Sequence, residues 1–219
     1  MGAGSRRTRP GGHRHRGAGT VLTRRVEVPH SRLDRWLAGF ADRHGGAMVT
    51  GAIVRGADGE QATVTSWADL TAAETLPGLV ALAAPPERMA VLLLRRGGYA
   101  VAYCHGQRVV ERKIGRRHVQ SRTAAGGWSQ QRFARRRGNQ ATELVGAVAD
   151  HAVRIWPRAG IDALVRGGDR ALVATVLADP RLAWLTAPAR DFFDLPDATP
   201  AVLDRALERA RSVAIEVSG

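Results

Sequence analysis

The chain has 219 residues, 44% of them hydrophobic, and a formal net charge of +13. That is enough for one good-sized domain, or a domain with a smaller companion. Its single cysteine, Cys104, excludes a disulfide framework and any cysteine-rich zinc site, and the basic N-terminus lacks the apolar run of a signal peptide. No stretch approaches membrane-spanning length, so a cytoplasmic protein without a membrane partner is expected.

The charge is concentrated in two places. Residues 1–25 hold seven arginines and no acid, and residues 105–140 hold ten Lys or Arg against one acid, Glu111, which leaves the remainder slightly acidic. Such concentration is the expected footprint of a polyanion. Of the 33 basic residues only Lys113 is a lysine, which reads as the codon bias of a GC-rich bacterial genome. The clustering of arginine, rather than its abundance, therefore points to phosphate.

In chain order, residues 1–20 form a Gly/Arg/His-rich basic tail without apolar periodicity, expected to be disordered. It reads equally as a solvated tail and as a non-specific RNA anchor. Residues 21–84 read as a small β-α-β-β unit. Val21–Val28 is its first strand, and Ser31 caps a helix to about Arg43, with Leu33, Trp36, Leu37 and Phe40 at helical spacing and Asp34 completing the start. Ala47–Val54 and Gln61–Trp67 form a hairpin around Gly56-Ala57-Asp58-Gly59. Pro85-Pro86 marks a boundary, after which residues 85–219 form the main domain.

That domain opens with a three-strand meander, Met89–Arg95, Tyr99–Cys104 and Gln107–Ile114, turning at Gly97-Gly98 and His105-Gly106. After a Gly-rich loop, Ser129 caps a long helix to about Trp156. Ile161–Val165 is a strand, Asp169–Leu177 a short helix, Thr199-Pro200 opens a last helix and Val213–Val217 adds a final strand. The series predicts an α/β domain with a mixed sheet flanked by helices. Within the long helix Phe133, Ala141, Leu144, Val148, Ala152 and Ile155 share one face, whereas Arg132, Arg135 and Arg136 lie opposite and Arg137 lies near the apolar stripe. Gly138 costs about 1 kcal/mol inside a helix, so a break or kink is allowed there.

The most informative stretch is GRRHVQSRTAAGGWSQQRFARRRGNQ, residues 115–140, in which a small uncharged loop leads into glutamines and then arginines. The run Gly126-Gly127-Trp128-Ser129-Gln130-Gln131-Arg132-Phe133 resembles the GGQ loop and following helix of eukaryotic and archaeal translation termination factors. It departs from them at Trp128, where that family places its glutamine. A closer resemblance is to the release-factor-like ribosome quality-control family, the VLRF peptidyl-tRNA hydrolases, which carry a shifted glutamine. Met89–Arg112 looks like the strand meander of that family. Arg136-Arg137-Gly138-Asn139-Gln140-Ala141-Thr142 is similar to its RRYNEAT segment, and Gly167-Gly168, Asp179-Pro180-Arg181 and the terminal helix also correspond. The resemblance spans roughly residues 88–218, and residues 20–84 have no counterpart in it.

The resemblance implies an RNase H-like release-factor central-domain fold and hydrolysis of the ester joining a nascent peptide to tRNA, without a cofactor or metal. Peptidyl-tRNA, the large ribosomal subunit and its rRNA are the implied partners. Gln130 is the implied catalytic group, with Gln131 as its substitute. A glutamine amide both donates and accepts, so it orients water without ionising. Gly126 and Gly127 permit tight backbone conformations, and Trp128 either stacks on a base or anchors the loop. Arg116, Arg117, Arg122, Arg132, Arg135, Arg136, Arg137 and Asn139 form the expected RNA-binding set, though a solvated arginine face fits the charge pattern as well. A non-catalytic tRNA- or rRNA-binding factor and an endonuclease cutting the tRNA 3′ end remain as alternatives. Cys104-His105 would point to opposite faces of a strand, wrong for a nucleophile–base pair, and His13, His15, His118 and His151 lack metal-ligand spacing. Asp191 and Asp194 hint at nuclease carboxylates but read better as a solvated turn. Gly167-Gly168-Asp169 reads as a turn and helix cap.

Overall fold

A computed structural model describes residues 23–116 and 128–219, with side chains described for 23–116 and from 141 onward. The basic tail and the loop at 117–127 lie outside the described residues. The elements in order are β1 (Arg24–Pro29), α1 (Leu33–Arg43), β2 (Ala47–Thr50), β3 (Ile53–Gly56), β4 (Gln61–Thr65), α2 (Leu76–Leu82), β5 (Arg88–Arg95), β6 (Gly98–His105), β7 (Arg108–Arg116) and α3 (Trp128–Ile155). There follow β8 (Ala163–Gly168), α4 (Arg170–Leu177), β9 (Ala189–Phe192), α5 (Pro200–Ala210) and β10 (Ser212–Ser218). They build a mixed α/β structure of two five-stranded sheets flanked by helices.

The second sheet has the order β7-β6-β5-β8-β9. β5, β6 and β7 are the expected antiparallel meander, and β8 and β9 add in parallel on the other side of β5. A meander followed by parallel crossovers is the arrangement the RNase H-like expectation requires. β5 is apolar from Met89 to Leu94 because both its faces are covered there. Met89, Val91 and Leu93 pack toward α5, whereas Ala90, Leu92 and Leu94 pack toward the buried face of α3 and α4. β9 was not foreseen. Its four residues carry no apolar alternation, and it forms by register with β8 from Leu164↔Ala189 to Gly167↔Phe192.

The first sheet is antiparallel throughout, in the order β1-β10-β4-β3-β2, with α1 and α2 over one face. Here the structure corrects three expectations. Ser31 does not cap α1: His30–Arg32 form a 3-10 turn, and no side chain caps the helix at Arg32. The His30 ring, which hydrogen-bonds the Val80 carbonyl at 2.9 Å, ties this turn to α2. The single strand expected over Ala47–Val54 is a tight hairpin, because Gly51 takes a positive φ of 60° and gives its N–H to Ala73. Finally, β10 does not join the sheet of its neighbouring helix. It lies between β1 and β4, pairing Val26↔Ile215 and Ile215↔Val64, so its Val213 and Ile215 complete the apolar layer of the first sheet. Residues 21–84 therefore do not make their sheet alone.

Candidate functional site

The chain leaves the second sheet at Arg116, the exposed last residue of β7, and re-enters the described structure at Trp128, the first residue of α3. The far end of this helix is anchored firmly. Leu144, Val148, Ala149, Ala152 and Ile155 are buried in the layer shared with β5 and α4, and the Trp156 indole donates to the Ala102 carbonyl at 2.9 Å. Arg154 pairs with Glu111 of β7 at 2.8 Å, and Arg181 bridges Asp150 of α3 to Asp179. The guanidinium beside Asp179 holds its carboxyl down at about 2.

Where α3 departs from the sheet, Tyr99 and His151 stack with ring centroids 5.5 Å apart. Tyr99 is the second residue of β6 and lies over Gly115 of β7, where a side chain would collide with its ring. The bare Gly115 backbone thus makes the bed for the aromatic that marks the helix root. From His151 back to Trp128 the helix runs about 34 Å at 1.5 Å per residue. An eight-residue strand such as β6 spans only about 27 Å. Leu144 is the most N-terminal buried residue of the helix among those whose side chains are described. The helix is continuous through Gly138.

Along α3 the expected site residues fall as follows. Trp128, Ser129, Gln130 and Gln131 form its first turn, with Arg132, Arg135, Arg136, Arg137 and Asn139 in the next two turns. The helix begins at Trp128, one residue before the expected cap at Ser129, which is within the usual spread of helix boundaries. Gly126, Gly127, Arg117 and Arg122 lie outside the described residues.

The amino-acid sequence was compared with known families on this footing. Residues 87–216, more than half of the chain, match the family described as the Actinobacteria/chloroflexi VLRF1 release factor. The chain belongs to that family. The VLRF1 family is release-factor-like and ribosome-associated in role. No curated protein matches the chain. Among solved structures, one described as the Vms1 mitochondrial localization core aligns over 84% of this chain and 80% of its own, at 11% identity and a TM-score of 0.43.

In this VLRF1 chain the other candidate chemistries are structurally occupied. Cys104 is fully buried, and burial pushes its thiol above the ordinary value, while the neighbouring His105 points outward to Glu87 at 3.4 Å. Asp191 binds Arg166 through two hydrogen bonds at 2.7 and 3.0 Å, and Asp194 binds Arg209 at 2.7 Å. Asp169 caps α4 by accepting from Ala171 and Leu172, as the sequence suggests, and Gly168 before it takes a φ of 96° while closing on the Leu94 carbonyl. Among the described residues no group of three His, Cys, Asp or Glu side chains converges as a metal site. No described helix is long and apolar enough to cross a membrane.

Sequence reasoning missed two cations that share a sheet end with Arg116. Arg96, at the tip of the β5–β6 hairpin, and Arg170, which opens α4, are both exposed and have no carboxylate partner among the described residues. The guanidinium of Arg170 lies over the Phe193 ring, 4.3 Å from its centroid. Only strand register unites these three arginines, so no local sequence signal marks them.

Proposed function

We propose that the protein is a peptidyl-tRNA hydrolase that releases nascent chains on stalled ribosomes or split large subunits, with Gln130 orienting the attacking water. The observation that carries this reading is the position of Gln130, third residue of the helix that follows the Gly-rich loop, in a chain of a release-factor-like family. The amide carbonyl accepts from the water and its NH2 donates, leaving a water lone pair aimed at the ester carbonyl carbon. As the new C–O bond forms, the bond to the tRNA 3′ oxygen breaks. The tRNA leaves as its 3′-hydroxyl, having taken up the proton from water, and the peptide leaves as a free acid. Unpaired N–H groups of the first helical turn and the positive end of the helix dipole favour the negative charge that develops.

Gln131, the next residue, is the substitute for Gln130 in that role. Trp128 offers a stacking surface for a base. Arg116, Arg117, Arg122, Arg132, Arg135, Arg136, Arg137 and Asn139 hold phosphates of tRNA and rRNA, and the site of action is the cytoplasm. The carboxylates that would serve a nuclease, Asp191 and Asp194, are both engaged by arginines, which favours ester over phosphodiester chemistry.

The decisive experiment is single-turnover release of labelled peptide from peptidyl-tRNA on isolated large subunits. Gln130→Ala is expected to slow release by about 10²- to 10³-fold, the cost of losing one positioned polar group, with subunit binding unchanged. Gln131→Ala is expected to lose far less. An unaltered rate in Gln130→Ala removes that residue from the mechanism, and a shortened tRNA product replaces hydrolysis with nuclease action.

A further inference from the structure

We propose that Arg96, Arg116 and Arg170 form a phosphate-docking rim for RNA at the sheet end where β5 and β7 finish, with Arg96 and Arg170 as contacts outside the loop and its helix. This rests on the hydrolase reading for its biological partner, although the rim itself is argued from geometry. β5 ends at Arg95, which pairs with Gly98, and Gly98 pairs in turn with Arg116. Across the other edge of β5, Leu94 pairs with Gly168, two residues before Arg170. Hydrogen-bonded neighbours in this sheet therefore carry one exposed arginine each side of the β5–β6 turn, all at one end.

What sets these three apart is the sheet end they share, since other exposed arginines such as Arg35 and Arg43 also lack a carboxylate partner among the described residues. Arg25, Arg88, Arg154, Arg166, Arg181 and Arg209 each bind a carboxylate, knitting strands and helices together. The segments outside the described side chains, residues 1–22 and 117–140, contain no Asp or Glu at all, so they offer the rim no counter-charge. The rim is also held in shape. Arg95 beneath it donates to the carbonyls of Phe193 and Leu195 at 3.1 and 2.8 Å, fixing the segment on which the Arg170 guanidinium rests. A guanidinium laid flat on an aromatic ring keeps its N–H edge free, and little further freedom is lost when a phosphate arrives.

Two carboxylates stand at this end. Asp169 is engaged in capping α4, whereas Asp197 lies exposed against Gly97 at the hairpin tip. Asp197 opposes an incoming phosphate and gives the proposal a test of opposite sign. The partner is a nucleic acid rather than an acidic protein because the sequence that follows Arg116, residues 117–140, adds six arginines and no acid. Charge of a single sign over so many residues suits a repeating backbone charge.

The test uses the full chain and purified large ribosomal subunits, with binding measured across a salt titration. Arg96→Gln/Arg170→Gln is expected to weaken binding about tenfold and to flatten the logarithmic salt slope by nearly two, one phosphate contact per arginine. Arg35→Gln/Arg43→Gln, on exposed α1 positions, is expected to change it less than about twofold, and Asp197→Asn to tighten it. Equal weakening by both arginine pairs, or an unchanged slope in the rim variant, overturns the rim. So does competition by polyglutamate as effective as that by single-stranded RNA, which would assign an acidic polypeptide instead. The two readings fail separately. Gln130→Ala with full release but a salt-sensitive rim sinks the hydrolase and spares the rim, whereas a dispensable rim with an inactive Gln130→Ala does the reverse.

Discussion

At the scale of single residues, the packing of α3 on β6 depends on an absent side chain. Gly115 leaves room for the Tyr99 ring, and Tyr99 supports His151. Gly115→Ala is expected to destabilise the protein by about 1–3 kcal/mol, the usual cost of overpacking, measured by urea unfolding; an unchanged midpoint would show that Tyr99 does not need that bed. His151 titrates below its ordinary 6.5, chiefly because burial disfavours the cation and secondarily because Lys113 and Arg154 repel it, against a smaller opposing pull from Asp150. The unfolded chain then takes up this proton before the folded one does. The stabilisation is full above 6.5 and is lost as pH falls through the depressed folded value. His151→Phe, which keeps an aromatic ring on Tyr99, is expected to lose less Tm between pH 7 and 5 than the unsubstituted protein. A parallel decline in the two would assign the acid sensitivity to other groups.

At the scale of elements, what could be read beforehand is what is encoded within a few residues. Thr199 caps α5 by accepting from Val202, with Pro200 at the first helical position, and Asp169 caps α4; both were visible as a polar cap before a helical run. Asp169→Ala frees two N–H groups and is expected to cost about 1–2 kcal/mol in chemical denaturation; a loss near zero would mean that water caps α4 as well. The buried face of α3 was equally legible, since Leu144, Val148, Ala152 and Ile155 recur at the helical period. The Gly-rich loop expected before the glutamines, residues 117–127, lies outside the described residues. By contrast, β9 is a strand only because β8 presents an open edge to it. Ser31 looked like a cap because a short hydroxyl precedes an amphipathic run, yet the His30 bond to Val80 draws the turn tighter than a cap requires. The rim arginines were hidden for the same reason as β9: they come together by pairing between distant segments.

At the scale of the whole molecule, the placement of β10 turns two apparently successive units into one interlocked body. Arg209 reinforces the link by reaching both Glu27 of β1 and Asp194, and the Trp67 indole donates to the Ala210 carbonyl just before β10 begins. Ending the chain after Arg211 is expected to open the first sheet at its centre, exposing Val28, Val54 and Val64. Limited proteolysis should then cut within residues 24–65 well before it reaches β5–β7; protection equal to that of the uncut protein would show that β1 and β4 close on each other unaided. The interlock also has a consequence in time. β1 and β4 leave the ribosome first, but the strand that joins them is made roughly 150 residues later. At ordinary elongation speed that is a wait of about 7–30 s. During it, two hydrophobic strand edges wait for the strand that joins them, so the chain is vulnerable for most of its own synthesis.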